Sequence, residues 1–122
     1  MKKVCCLWLV VFSLLGCSNN TIPDIKGKTF IKNNSNYTIT FDAKENKFYG
    51  KALNNYFGTY KLEKNQLSLE LTGATMMMGS PQDMENETIY FKNLSKVNSY
   101  NLNNKTLTLK GTDIELIYKE KQ

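Results

Sequence analysis

Bulky apolar residues recur at every second position along much of the chain. Tyr37, Ile39 and Phe41 alternate with Thr38 and Thr40, which gives an extended strand one apolar and one polar side. A turn over residues 42–46 follows, and residues 48–53 read as the next strand. Residues 56–62 and 66–71 repeat the alternation, with Leu67, Leu69 and Leu71 on one side and Ser68 and Glu70 on the other. Between them Glu63-Lys64-Asn65 predicts a hairpin. Further on, Tyr100 and Leu102 lead to Leu107 and Leu109 through Asn103-Asn104, residues that suit the positive φ angles of a tight turn. Ile114, Leu116 and Tyr118 make a last predicted strand.

One segment changes the period. Ser80-Pro81-Gln82-Asp83 offers a capping hydroxyl, a proline for the first helical position and an acid for the first turn. Met84, Glu87, Phe91 and Leu94 then recur at spacings of three and four, with Tyr90 and Val97 beside them. The spacing predicts a helix over 81–94. A helix with one apolar side needs a surface to cover, and an open barrel or strongly curved sheet provides one. The expected class is therefore mainly β (α+β), an antiparallel sheet with one packed α-helix, in a single domain.

The first residues have a different character. Lys2 and Lys3 precede residues 4–15, which are apolar apart from Ser13. That run is short of the roughly 20 residues needed to span the hydrocarbon core, and it matches the apolar region of a signal peptide. It closes on Leu14-Leu15-Gly16-Cys17, a lipobox-like sequence in which small Gly16 admits the peptidase and the Cys17 thiol takes the diacylglyceryl group. The expected division is a lipoprotein signal peptide over 1–16, a lipidated N-terminus and tether over 17–25, and a folded domain over 26–122. Two acyl chains suffice for stable anchoring where one is marginal. The partner implied is a membrane, reached through Cys17. Ser18 after it favours outer-membrane sorting in a cell with two membranes.

Composition narrows the chemistry. The cysteines are Cys5, Cys6 and Cys17, so processing leaves one thiol, the acylated one, and no internal disulfide. There is no histidine, and Trp8 lies in the signal segment. A Ser-His-Asp triad is thereby ruled out, as are metal sites built on imidazole or free thiolate. The formal net charge is +5, of which Lys2 and Lys3 carry two; every basic residue is lysine. Without arginine, phosphate and base recognition lose their best side chain, and no nucleic-acid partner is expected.

Three elements of the domain resemble the META domain of HslJ-like bacterial lipoproteins. Asn54-Asn55-Tyr56-Phe57-Gly58-Thr59-Tyr60 is similar to that family's Asn-x-aromatic-x-Gly-x-Tyr. Thr75-Met76-Met77-Met78-Gly79-Ser80-Pro81, followed by Met84, Glu87, Tyr90 and Leu94, is similar to its Thr-x-Met block and helix. Val97-Asn98-Ser99-Tyr100, running on to Leu107-Thr108-Leu109, is similar to its closing hairpin. The match covers residues 27–118. It implies a half-open barrel with a helix packed across it, and a structural motif of Asn54, Tyr56, Gly58, Tyr60, Thr75, Met77 and Glu87. Many relatives carry a cysteine just before the first asparagine and another after the Thr-x-Met block. Here those positions are Leu53 and Gly79. The family is linked to stress tolerance and virulence without an agreed activity, and its fold is said to look like that of pilotin lipoproteins.

Three groups of residues invite a chemical reading. Met76, Met77 and Met78 offer soft thioethers to Cu(I), yet three consecutive residues of extended chain cannot converge on one centre, so flexible core packing is expected. Glu87, among apolar helix neighbours, reads as a structural hydrogen-bonding group directed at the Thr75 loop ahead of a catalytic acid. Tyr49, Tyr56, Phe57 and Tyr60 can line a groove, but strand alternation makes most of them core. No cofactor is implied. The expectation is a monomeric, non-enzymatic envelope lipoprotein that binds an envelope protein or a lipid on the concave side of its sheet. The alternatives are a small barrel that inhibits a hydrolase such as a lysozyme or protease, and a pilotin-like chaperone.

Intact-mass spectrometry of the membrane-extracted protein should show a chain that starts at Cys17 and carries acyl mass. Cys17→Ser should abolish that mass and release the protein from membranes.

Overall fold

The computed structural model describes residues 24–121. The signal segment, Cys17 and the tether as far as Pro23 lie outside the described residues. Eight strands and one helix follow in order: β1 (Thr29–Lys32), β2 (Thr38–Phe41), β3 (Lys47–Lys51), β4 (Asn55–Glu63), β5 (Gln66–Ala74), α1 (Pro81–Leu94), β6 (Val97–Asn103), β7 (Thr106–Gly111) and β8 (Ile114–Glu120). Each strand pairs antiparallel with the next, and β8 returns to pair with β1 through Phe30 with Glu120 and Lys32 with Tyr118. The barrel is closed, where a half-open one was expected. The closing strand β1 has one buried residue, Phe30, in its four, too little alternation to mark it as a strand in the sequence.

The sparsest ladder lies between β5 and β6, which share a single registered pair, Gln66 with Ser99. Beyond that pair β5 continues to Ala74 past the start of β6, and α1 bridges the two strands. Ser80 accepts from the Asp83 amide, Pro81 opens the first turn, and Lys92 complements the last one. The helix spans the predicted residues.

Local differences have local causes. β3 stops at Lys51 because the chain turns there, with the Ala52 amide donating to the Asn54 carbonyl. β5 runs past Leu71, held by pairing with Tyr56 and Phe57 across a register shift. The β6–β7 turn is Asn104-Lys105, both at positive φ, one residue later than the asparagine pair predicted.

Inward positions fill the barrel. Phe30, Ile39, Phe41, Phe48, Tyr56 and Tyr118 have at most 1% of their surface exposed, each such burial contributing roughly 1.5–3 kcal/mol. Two inward glycines make room for the rings. A β-carbon at Gly58 would collide with the Glu70 carbonyl oxygen and lie 2.8 Å from the Phe48 ring, and one at Gly50 would lie 2.6 Å from the Tyr56 hydroxyl. The glycine of the Asn-x-aromatic-x-Gly-x-Tyr pattern is thus a packing requirement of the aromatic opposite.

Both mouths are closed. Ile25, fully buried, seals the end where β1 begins, with the Gly27 amide donating to the Phe41 carbonyl at 2.6 Å. The helix covers the other end, where β2 and β4 begin.

Gly58→Ala should destabilise the domain by about 3 kcal/mol, the upper end of what overpacking costs, because the added carbon meets backbone that cannot yield. Urea unfolding followed by circular dichroism measures it.

Candidate functional site

The helix-covered mouth gathers most of the motif residues. Glu87, on the buried side of α1, accepts from the Asn54 amide at 2.6 Å and from Asn54 Nδ2 at 2.9 Å. Asn54 passes the connection on. Its Oδ1 accepts from Thr75 Oγ1 at 3.0 Å and from the Met77 amide, and its Nδ2 reaches the Met77 carbonyl at 3.4 Å. Thr75 Oγ1 in turn accepts from the Asn55 amide. The Glu87 carboxylate therefore reaches the Thr75 loop through Asn54. Among the described residues no buried side-chain nitrogen or oxygen lacks a partner.

Beside this cluster runs a row of phenols. Tyr56 donates to the Thr38 carbonyl. Its single proton is then committed, so Tyr90 donates to Tyr56 at 2.8 Å and Tyr118 donates to Tyr90 at 2.8 Å. Burial is the first cause that holds all three hydroxyls above the ordinary range of tyrosine, with the neighbouring phenol adding to it. Tyr37 packs on Tyr90 with ring centroids 4.8 Å apart, and Phe91 meets Tyr56 edge-on at 5.3 Å.

The remaining motif residues serve the wall. Tyr60 is buried and donates to the Asp42 carbonyl at 3.1 Å; Gly58 accommodates Phe48. Leu53 occupies the space over Gly79, 2.9 Å from where a β-carbon would sit. The two positions at which the resemblance leads one to expect cysteines are thus in contact, joined here by packing.

Two expectations need correction. Met76, Met77 and Met78 are exposed by 92%, 58% and 81%, not packed in the core. Their loop lies beyond β5, and only the backbone of Met77 is fastened, to Asn54. Tyr49 and Phe57 point outward, because Phe48 and Tyr56 take the inward positions beside them. Cys17 lies outside the described residues. Among those residues, no three acidic side chains gather to hold a metal ion.

The sequence profile of the META domain matches residues 16–122. The chain belongs to the META domain family. Two solved structures resemble this META domain over most of their length. One, an NMR structure of a protein from Burkholderia xenovorans, has a TM-score of 0.69 at 15% identity, with 84% of this chain and 93% of that one covered. The other, also an NMR structure, has a TM-score of 0.61 at 21% identity, covering 78% and 90%. A DUF4847 family protein from Bacteroides vulgatus reaches 0.53 at 17% identity, covering 68% and 57%. Comparison with curated proteins yields no match. At these identities the structural likeness carries the fold of the META domain alone.

Sequence reasoning singled out Asn54 and Glu87 separately and missed their bond. The signal was available in principle: an acid on the apolar side of a helix demands donors. The side chains around Tyr37 at the same mouth were not singled out at all, since isolated asparagines read as turn formers.

The buried phenols set an alkaline limit. Below about pH 10 they are protonated in both folded and unfolded chains, and stability is constant on their account. Above it only the unfolded chain ionises them, so stability should fall by about 1.4 kcal/mol per pH unit for each of Tyr56, Tyr90 and Tyr118. Phenolate absorbance should rise together with unfolding, and Tyr118→Phe should remove one proton from the transition.

Proposed function

We propose that the protein is a lipid-anchored, non-enzymatic envelope module that holds a protein partner on the outside of its barrel. The supporting observation is the placing of exposed apolar side chains. Tyr49 and Phe57 are cross-strand partners, each about half exposed, and Phe57 lies over Gly73 of β5. Thr75, paired with Asn55 beside them, leads straight into the exposed methionines. Of the large apolar side chains exposed among the described residues, only Ile89 and Ile117 lie elsewhere. Exposed apolar side chains gathered on neighbouring segments suit a contact surface, and thioether side chains adapt to a partner's shape.

A ligand inside the barrel, as the concave-face and pilotin-like readings require, would have to displace rings already packed there. Ile25 lies at one mouth of the barrel and the methionine loop at the opposite, helix-covered end.

A photo-crosslinking amino acid at position 57 or 78 of the full chain in cells should give a discrete adduct band, and one at Ile117 should not. No product, or equal products at all three positions, would remove the reading. Met78→Ser should change folding stability by no more than about 0.5 kcal/mol, and Phe57→Ser, which uncovers Gly73 and breaks the pair with Tyr49, by about 1 kcal/mol.

A further inference from the structure

A second surface at the helix-covered mouth has a different chemistry. An open cleft of about 400 Å³ lies between α1 and the turn after β1, lined in part by Asn34, Tyr37, Asn86, Ile89 and Asn93. Asn86, Ile89 and Asn93 follow one another at spacings of three and four, so one side of the helix presents them together. Asn34, at positive φ, brings a third carboxamide from the opposite wall. The amides of Asn34 and Asn93 have no side-chain partner among the described residues, and Asn86 uses only its Oδ1, accepting from Gln82 at 3.0 Å. The cleft therefore offers free donors and acceptors in matched pairs.

Charge and shape narrow the ligand. Lys32 and Asp83 line the cleft, one of each sign, with the Glu87 carboxylate also acting on Tyr37, so the lining does not favour an anion and its carboxamides suit an uncharged polar ligand. Tyr37, held against Tyr90, supplies an aromatic wall and a hydroxyl with no partner among the described residues, and Ile89 is half exposed. Burial, with the carboxylates of Glu87 and Asp83 adding to it, raises the pKa of Tyr37, so its hydroxyl is a donor at neutral pH. The volume falls in the range of small-molecule sites, about 300–1,000 Å³.

The geometry points to a binding site for an uncharged, N-acetylated sugar: carboxamides for its hydroxyl and acetamido groups, and Tyr37 with Ile89 for the apolar face of its ring. This site is separate from the methionine and aromatic surface, so either can fail alone.

The test is titration of the ¹⁵N-labelled full chain, in detergent micelles, with the β-1,4-linked trimer of N-acetylglucosamine. Saturable amide shifts are expected at Asn34, Tyr37, Asn86, Ile89 and Asn93, with Tyr49 and Phe57 unmoved. Asn86→Ala and Tyr37→Phe should each weaken binding at least fivefold while the rest of the spectrum stays in place; Asn93→Ala, on the exposed helix side, serves as a third variant if Tyr37→Phe perturbs the fold. Maltotriose, which has hydroxyls and no acetamido group, should bind more weakly. The absence of saturable shifts, or shifts confined to other residues, would overturn the assignment. Tighter binding of capped trialanine in the same cleft would overturn it in favour of a peptide.

Discussion

A carboxylate taken out of water has to be met by donors, and Glu87 is met by the backbone and the side chain of Asn54. Breaking such a pair leaves a charge stranded, which is far costlier than the pair's net gain. Three pieces of chain agree at this point: the helix that carries Glu87, the turn before β4 that carries Asn54, and the methionine loop that Asn54 holds by both backbone groups of Met77. None of these pieces belongs to the barrel ladder. The carboxylate is what fixes the lid to the barrel in one orientation, and the phenol row beneath it depends on that orientation to bring Tyr90 between Tyr56 and Tyr118.

The aromatic interior follows from a complementary rule of size. Gly50 and Gly58 face inward among bulky neighbours, so Tyr56 and Phe48 reach across the space that a larger residue would occupy. A small barrel filled in this way has its interior committed to stability. The surface differs from place to place, with exposed apolar side chains on one side and a polar cleft at the helix-covered end.

Much of the barrel was legible from alternation. Ile39, Phe41, Leu67, Leu69, Leu107, Leu109, Leu116 and Tyr118 all lie in the core, and Ser80-Pro81 marked the start of the helix. Closure was not legible, because β1 has Phe30 as its sole fully buried residue and owes its place to the pairing that β2 and β8 offer. The methionines misled for a related reason: apolar character predicts burial only where a strand or helix directs the side chain inward, and their loop has neither. The Asn54–Glu87 bond joins residues far apart in sequence, and such contacts leave no periodic trace.

The contact of Leu53 with Gly79 has a consequence of its own. At this point the chain fastens its methionine loop with a leucine resting on a bare backbone. A clasp of that sort is set by shape, not by electron transfer. It needs no oxidant to form, no isomerase to correct, and presents nothing for a reductant to cut, so the domain closes in the same way whatever the redox poise around it.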